Sequence, residues 1–282
     1  MVSFRLRAEL AEHLRRFGVE MPEREARMLL CAAWEISLDQ LLQLGAQEEV
    51  PGEVEEAARR LVLRRAEGEP LQYLLGQWDF YGETFLCSPQ ALIPRPETEL
   101  LVTQAIRWAR EHPACRTLLD AGCGTGCIGI TAALHTGCRP TLLDLSEDAL
   151  ALAKHNAKRL SVEAEFVLAD LLEGPTGERR WDMLISNPPY LTKEDMACLQ
   201  REVRYEPETA LFGGEDGLLF YRALAEKWIS CVSPGGLVLV EHGQGQGEAV
   251  SALFRAAGLK KVQTMPDYAG IDRITRGEIP EN

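Results

Sequence analysis

Downstream of residue 97 the chain alternates short apolar runs with stretches of helical period, and no other feature constrains the fold as strongly. The runs fall at 117–120, 141–144, 165–168, 183–186 and 237–241, each too short for a helix and apolar enough to be buried on both faces. Strands parted by helices pair in parallel, because a right-handed crossover returns the chain to the same edge of the sheet. An α/β domain over 97–282 is therefore expected, with a mainly parallel, Rossmann-like sheet and helices on both faces. Two late runs, 261–265 and 272–275, can close the sheet as an edge hairpin.

The first third of the chain has a different period. Leu10, Leu14 and Phe17, then Ala26, Leu29, Leu30 and Ala33, recur at helical spacing around the break at Gly18 and Pro22. Ser37 can cap a short helix, and Pro51 can open another that buries Val54, Ala58, Leu61 and Val62. These signals predict a small helical bundle over 1–70 with Trp34 in its core. Short alternating runs at Trp78-Asp79-Phe80 and Thr84-Phe85-Leu86, parted by Gly82, predict a β-hairpin within a linker over 71–96.

Composition narrows what such a chain can do. Its 43 acidic and 30 basic residues give a formal charge of −13 with no basic stretch, so tight direct binding of nucleic acid is not expected. Arg15, Arg16, Arg59, Arg60, Arg64 and Arg65 read as solvated helix faces. The eight cysteines include no C-x-x-C pair, which argues against a zinc site or a disulfide framework and for a reducing compartment. His242 has no metal-ligand spacing around it, so no metal is expected. The N-terminus lacks a signal-peptide core, and the charge-free run 121–138 is too weakly apolar to span a bilayer. A cytoplasmic monomer away from membranes is the expectation.

Function concentrates in two turns. Leu118-Leu119-Asp120-Ala121-Gly122-Cys123-Gly124-Thr125-Gly126 is a strand entering glycines, with a helix starting near Cys127. Glycines let a ligand lie against bare backbone at a helix N-terminus, where amide groups point outward. Asp144 ends the next strand, where a carboxylate can accept hydrogen bonds from two ribose hydroxyls. Both features point to a nucleoside-containing cofactor. The glycines leave its identity open, because Gly124-Thr125-Gly126-Cys127-Ile128-Gly129 also satisfies the dinucleotide spacing of a nicotinamide enzyme.

The second turn, Ser186-Asn187-Pro188-Pro189-Tyr190, follows a buried strand. Two prolines stiffen the backbone and remove its amide hydrogens. The Asn187 side-chain oxygen and the Pro188 carbonyl can then each accept one hydrogen of a planar NH₂ group and aim its nitrogen. Accepting both hydrogens raises electron density on a delocalised amide nitrogen as it is alkylated. Tyr190 can pack its ring on the same group and favour the developing cation.

Asp120-x-Gly122-x-Gly124-x-Gly126 resembles the D/E-x-G-x-G-x-G signature of class I methyltransferases. Across nearly the whole chain the sequence resembles the release-factor glutamine methyltransferases of the PrmC/HemK family. The resemblance is carried by Ile93-Pro94-Arg95-Pro96-Glu97-Thr98-Glu99, the glycine turn, Asn187-Pro188-Pro189-Tyr190, Arg204-Tyr205-Glu206-Pro207, Asp216-Gly217 and Glu241-His242-Gly243. It implies S-adenosyl-L-methionine as cofactor, S-adenosyl-L-homocysteine as product, and methylation of the glutamine in the Gly-Gly-Gln loop of class I peptide chain release factors. It further implies that Gly122, Cys123, Gly124, Thr125, Gly126, Asp144, Asp170, Leu171 and Asn187 hold the cofactor, and that Asn187, Pro188, Pro189 and Tyr190 act on the glutamine. Asp170 could instead cap the segment after it, and Arg95 and Glu97 could brace a lid or simply begin a helix. Glu241 and His242 could line the pocket or merely finish a strand. Methyltransferases acting on adenine N6 or guanine N2 share the Asn-Pro-Pro-Tyr motif, and a non-catalytic adaptor is the reading from a third class.

Overall fold

Three amphipathic helices pack their apolar stripes together at the start of the chain: α1 (Ser3–Arg16) through Leu6, Leu10 and Leu14, α2 (Pro22–Trp34) through Ala26, Leu29 and Leu30, and α4 (Gly52–Ala66) through Val54, Ala58 and Val62. Between them α3 (Leu38–Gln43) is held by a capping box, in which Gln40 N donates to Ser37 Oγ at 3.1 Å and Ser37 N to Gln40 Oε1 at 2.7 Å. A short α5 (Leu71–Leu75) ends at Gly76, which takes the left-handed conformation. The computed structural model describes residues 1–45 and 47–281. It divides into two compact units, Met1–Gln77 with Gln200–Tyr205, and Trp78–Leu199 with Glu206–Asn282.

Some expectations for the helical unit fail in detail. Leu61, Ala33 and Trp34 are only half-buried and Phe17 is exposed, because they flank the stripe rather than lie on it. Five of the six arginines do lie outward, each in an ion pair: Arg15 with Glu12 and Glu23, Arg16 with Glu12, Arg59 with Glu9 and Glu55, Arg60 with Glu56, Arg64 with Glu69. Arg65 is the exception, buried against Glu25 and joined by Glu202 from the segment that returns to this unit.

In the larger unit β1 (Gln77–Phe80) and β2 (Glu83–Leu86) form a two-stranded hairpin. Both turn residues, Tyr81 and Gly82, have positive φ, as a two-residue turn with native twist requires. The sheet is built from β3 (Thr117–Ala121), β4 (Arg139–Asp144), β5 (Glu165–Leu168), β6 (Trp181–Ser186), β7 (Val232–Glu241), β8 (Lys260–Pro266) and β9 (Asp272–Glu278) in the order β5-β4-β3-β6-β7-β9-β8. Its first five members are parallel, and β9 and β8 close the edge antiparallel. Helices α6 (Thr98–Glu111), α7 (Cys127–Thr136), α8 (Glu147–Arg159), α9 (Lys193–Ala197), α10 (Leu219–Ala223) and α11 (Gly247–Ala256) connect the strands. Two buried clusters, one around Leu118, Met183 and Leu237 and one around Leu119, Leu184 and Val238, line opposite faces, because neighbouring strand residues point to opposite sides.

The order matters for function. From β3 the chain winds outward through β4 and β5, then returns to place β6 on the other side of β3, and ligands of such sheets bind at the carboxyl ends beside that reversal. Gly122, Asp144, Asp170, Asn187 and Glu241 all stand at that edge. No helix among the described residues is long and apolar enough to cross a membrane.

Candidate functional site

The glycine turn leaves β3 with Gly122, Gly124 and Gly126 at φ of +78°, +53° and +79°, a region that disfavours side chains. It is held to β4 by bonds from Gly122 N and Cys123 N to Leu143 O, both 2.8 Å, and from Gly124 N to Asp144 Oδ2, also 2.8 Å. Buried Asn156 braces it from behind, donating to Thr125 O at 2.9 Å and accepting from Leu86 N at 2.7 Å. Asp120 lies beneath, buried, and accepts from Gly129 N at 2.8 Å; burial lifts its carboxyl to about 7. Asp120 therefore fixes the start of α7 and has no exposure to a ligand.

A cavity of about 390 Å³ opens over this turn. Gly122, Cys123, Gly124, Thr125, Asp144, Asp170, Leu171, Asn187 and Pro189 line it. Three of the expected site residues do not. At Gly126 a Cβ would meet Ile130 Cδ1 at 2.8 Å and Ala153 Cβ at 3.2 Å, so this glycine lets the turn pack on protein. Gly129 is tighter still, 2.4 Å from Leu142 Cδ2. Packing on protein thus accounts for the last two glycines of the dinucleotide spacing. Pro188 is buried, and half-buried Tyr190 is off the lining with its hydroxyl pushed up to about 12 by burial.

The lining suits a nucleoside-bearing group. Asp144 accepts from Gly124 N and from Ser146 N at 3.0 Å, which uses one lone pair on each oxygen and leaves the others for hydroxyls. Burial pushes its carboxyl up and the backbone bonds oppose the rise. Asp170 both caps its own turn, accepting from Leu172 N at 2.8 Å, and faces the cavity, so the two alternatives read from the sequence coexist. The Cys123 thiol is raised well above its ordinary value by burial and stays neutral.

The Asn-Pro-Pro-Tyr loop is clamped by the segment after it: Leu191 N donates to Leu211 O at 2.9 Å and Gly213 N to Leu191 O at 2.8 Å. A Cβ at Gly213 would lie 2.6 Å from Pro189 O and from Tyr190 Cα, both backbone atoms that cannot swing aside. Gly213→Ala is accordingly expected to destabilise the protein by about 1–3 kcal/mol and to reduce turnover through the displaced loop, readable by denaturant titration and kcat on one preparation.

Several residues here carried no role in the sequence reading. Thr98, buried at the first turn of α6, accepts from Asn187 Nδ2 at 3.1 Å. Glu206 is buried, pairs with Arg95 and accepts from Ile93 N at 3.1 Å, joining the Ile-Pro-Arg-Pro segment to the Pro207 loop along one wall. Glu97 is the N-cap residue of α6 and makes no side-chain cap bond. The signal for Thr98 and Glu206 was their place inside the Pro-Glu-Thr-Glu and Arg-Tyr-Glu-Pro motifs. Phe220 also lines the wall and lay in no motif. Among the described residues no three His, Cys, Asp or Glu side chains are grouped to hold a metal ion.

A glycine turn, a carboxylate at the next strand end and an Asn-Pro-Pro-Tyr loop around one cavity of a seven-stranded sheet define a class I methyltransferase. Residues 98–211 match the Methyltransferase small domain family and residues 5–76 the PrmC N-terminal domain family. The chain is 39% identical over 264 residues to the release factor glutamine methyltransferase of Neisseria gonorrhoeae, covering 92% of this chain and 94% of that one. It is 41% identical over 266 residues to that of Bordetella pertussis, covering 91% and 95%. A solved methyltransferase from Pyrococcus furiosus shares the fold at a TM-score of 0.52 and 18% identity, over 71% of this chain and 90% of that one. This chain belongs to the release factor glutamine methyltransferase family.

Proposed function

We propose that the protein transfers a methyl group from S-adenosyl-L-methionine to N5 of the glutamine in the Gly-Gly-Gln loop of class I peptide chain release factors, leaving S-adenosyl-L-homocysteine. The observation that carries this reading is Asn187, whose amide stands on the cavity wall with its nitrogen tied back to Thr98. Its oxygen is then available to a planar NH₂.

In this reading Gly122, Cys123, Gly124 and Thr125 receive the amino-acid end of the cofactor, Asp144 the ribose hydroxyls, and Asp170 with Leu171 the adenine. Bound there, the cofactor supplies an electrophilic methyl carbon on a sulfonium. Asn187 Oδ1 accepts one hydrogen of the glutamine NH₂ at the cavity wall, the carbonyl of the buried Pro188 takes the other once the NH₂ reaches past that wall, and the proline-stiffened loop keeps both acceptors in place. A carboxamide nitrogen is a weak nucleophile, so its orientation is the largest contribution, up to about 7–11 kcal/mol for well-aligned reactants. Acceptors that strengthen as charge develops add roughly 2.7–4 kcal/mol each.

The helical domain, residues 1–70, serves as the recognition element, joined through the linker 71–96 to the catalytic domain 97–282. The enzyme works as a cytoplasmic monomer without direct contact to nucleic acid; Arg15, Arg16, Arg59, Arg60 and Arg64 of the helical unit, each already paired with a glutamate, support the last point. Removing residues 1–70 is expected to raise KM for a whole release factor about tenfold, or roughly 1.4 kcal/mol, with cofactor Kd unchanged. An unaltered KM removes the recognition role. The reaction itself is tested by incubating the protein with labelled cofactor and, separately, a release factor, DNA and ribosomal RNA, then mapping the methylated atom by mass spectrometry. Label on a nucleobase amino group overturns the proposal.

A further inference from the structure

The Asn187 amide serves an NH₂ substrate in only one of two orientations. With Oδ1 toward the cavity it accepts a hydrogen; flipped, it opposes the substrate NH₂ with another NH₂. The two orientations have nearly the same shape, so packing does not choose between them. Hydrogen bonding behind the amide must.

Behind it stand Thr98 and Glu241. Strands β6 and β7 run parallel with Ser186 opposite Val240, so the next residues, Asn187 and Glu241, leave the sheet side by side. Thr98 and Glu241 are 2% and 3% exposed. Asn187 Nδ2 donates to Thr98 Oγ1 at 3.1 Å, and the buried Glu241 carboxylate, whose Oε2 is without a hydrogen-bond partner, has Thr98 and Asn187 as the polar neighbours that favour its ionised form. A hydroxyl carries one hydrogen. When that hydrogen turns to the unpartnered Glu241 carboxylate, the Thr98 oxygen can only accept, and on Asn187 only Nδ2 can donate to it. We infer that Glu241 and Thr98 are positioning residues whose hydrogen-bond chain sets the orientation of the Asn187 amide and so presents its oxygen to the substrate. This rests on the reaction proposed above and deepens it.

The chain reverses if Glu241 takes up a proton. A protonated carboxyl can donate to Thr98, whose hydroxyl then donates to Asn187 Oδ1 and turns the NH₂ outward. Burial lifts the Glu241 carboxyl to about 7; Glu97 adds to the rise, while Thr98, Arg273 and Asn187 oppose it. The other groups facing it, Tyr190, Tyr221 and Cys127, are all raised by burial and stay neutral in this range. The active form is the deprotonated one, so kcat is expected to be full above about pH 7 and to fall as pH drops through it.

The test uses the full chain and a whole release factor, with kcat and both KM values followed from about pH 5.5 to about 8.5. Thr98→Val keeps the shape and removes the hydroxyl; it should lower kcat about 100-fold with cofactor KM unchanged, and Thr98→Ser should restore it to within about threefold. Glu241→Gln, which cannot ionise, should flatten the acid limb. Asp120, also lifted to about 7, remains in both proteins, so the comparison isolates Glu241. The Asn187 side-chain NH₂ signals in ¹⁵N-labelled protein should titrate near pH 7 in the wild type and not in Glu241→Gln. Wild-type kcat in Thr98→Val, or an acid limb and an amide titration unchanged in Glu241→Gln, overturns the inference. If the wild type leaves the release factor unmethylated, the proposed function fails instead, and the amide signals still decide the orientation chain.

Discussion

Replacing Asn187 by alanine is expected to lower kcat for release factor methylation by about 10²- to 10³-fold, equivalent to roughly 2.7–4 kcal/mol, while cofactor affinity stays within a few-fold. The asymmetry follows from where the side chain sits. It lies at the end of β6, whereas the turn that pins Asp144 and the backbone amides leaves β3 and is held by Leu143, Asp144 and Asn156. Truncating Asn187 leaves every one of those bonds intact. Its own bond, to Thr98, is worth only about 1 kcal/mol to folding, so loss of turnover will not reflect unfolding. Single-turnover kinetics with isothermal titration of the cofactor separates the two quantities. Wild-type turnover in Asn187→Ala removes the acceptor mechanism, and a parallel loss of cofactor affinity would show the side chain acting in ground-state binding.

What could be read from the sequence, and what could not, divides by the range of the interactions. The five parallel strands, the closing hairpin and the Ser37 cap rest on local period and local turn chemistry, and each lies within a few residues of its expected place. Strand β7 begins at Val232, five residues before its apolar run, because Pro234, Gly235 and Gly236 break the pattern while the sheet still holds them. Asn187 and the glycine turn announced themselves as contiguous motifs. Thr98 and Glu241 lay in motifs as well, but nothing in those motifs tied them to Asn187; that link exists only where parallel pairing sets Glu241 beside Asn187 and α6 brings Thr98 against both. Gly126 shows the converse, a motif residue read as ligand-binding whose missing side chain makes room for Ile130 and Ala153. Periodicity locates a residue on a face, but it does not say what that face meets.

Arg65 is the sharpest instance, and the second large effect follows from it. Helical period placed it on a solvated face; the structure gives it 6% exposure, with Nε 2.6 Å from Glu25 Oε2, Nη2 3.3 Å from Glu25 Oε1 and Nη2 2.7 Å from Glu202 Oε1. Burial works against its charge, and the bonds it donates to Glu25 and Glu202 more than offset that. Glu202 is half-exposed and its bond is accordingly weak, so Glu25 is the partner that matters. Glu25→Ala strands a guanidinium between α2 and α4 and is expected to cost about 3–5 kcal/mol. For a unit of this size, 1 kcal/mol moves the midpoint by roughly 4–8 °C, so the helical unit should melt well below the sheet and a single transition should become two. Replacing the pair together, Glu25→Leu with Arg65→Met, removes the buried charges and is expected to recover most of the loss, because a well-packed apolar pair is often as stable as the ion pair it replaces. Calorimetry on the three proteins decides it: a Glu25→Ala variant that melts as the wild type does would mean that water or the Glu69 carbonyl, 3.4 Å from Nη1, already carries the charge.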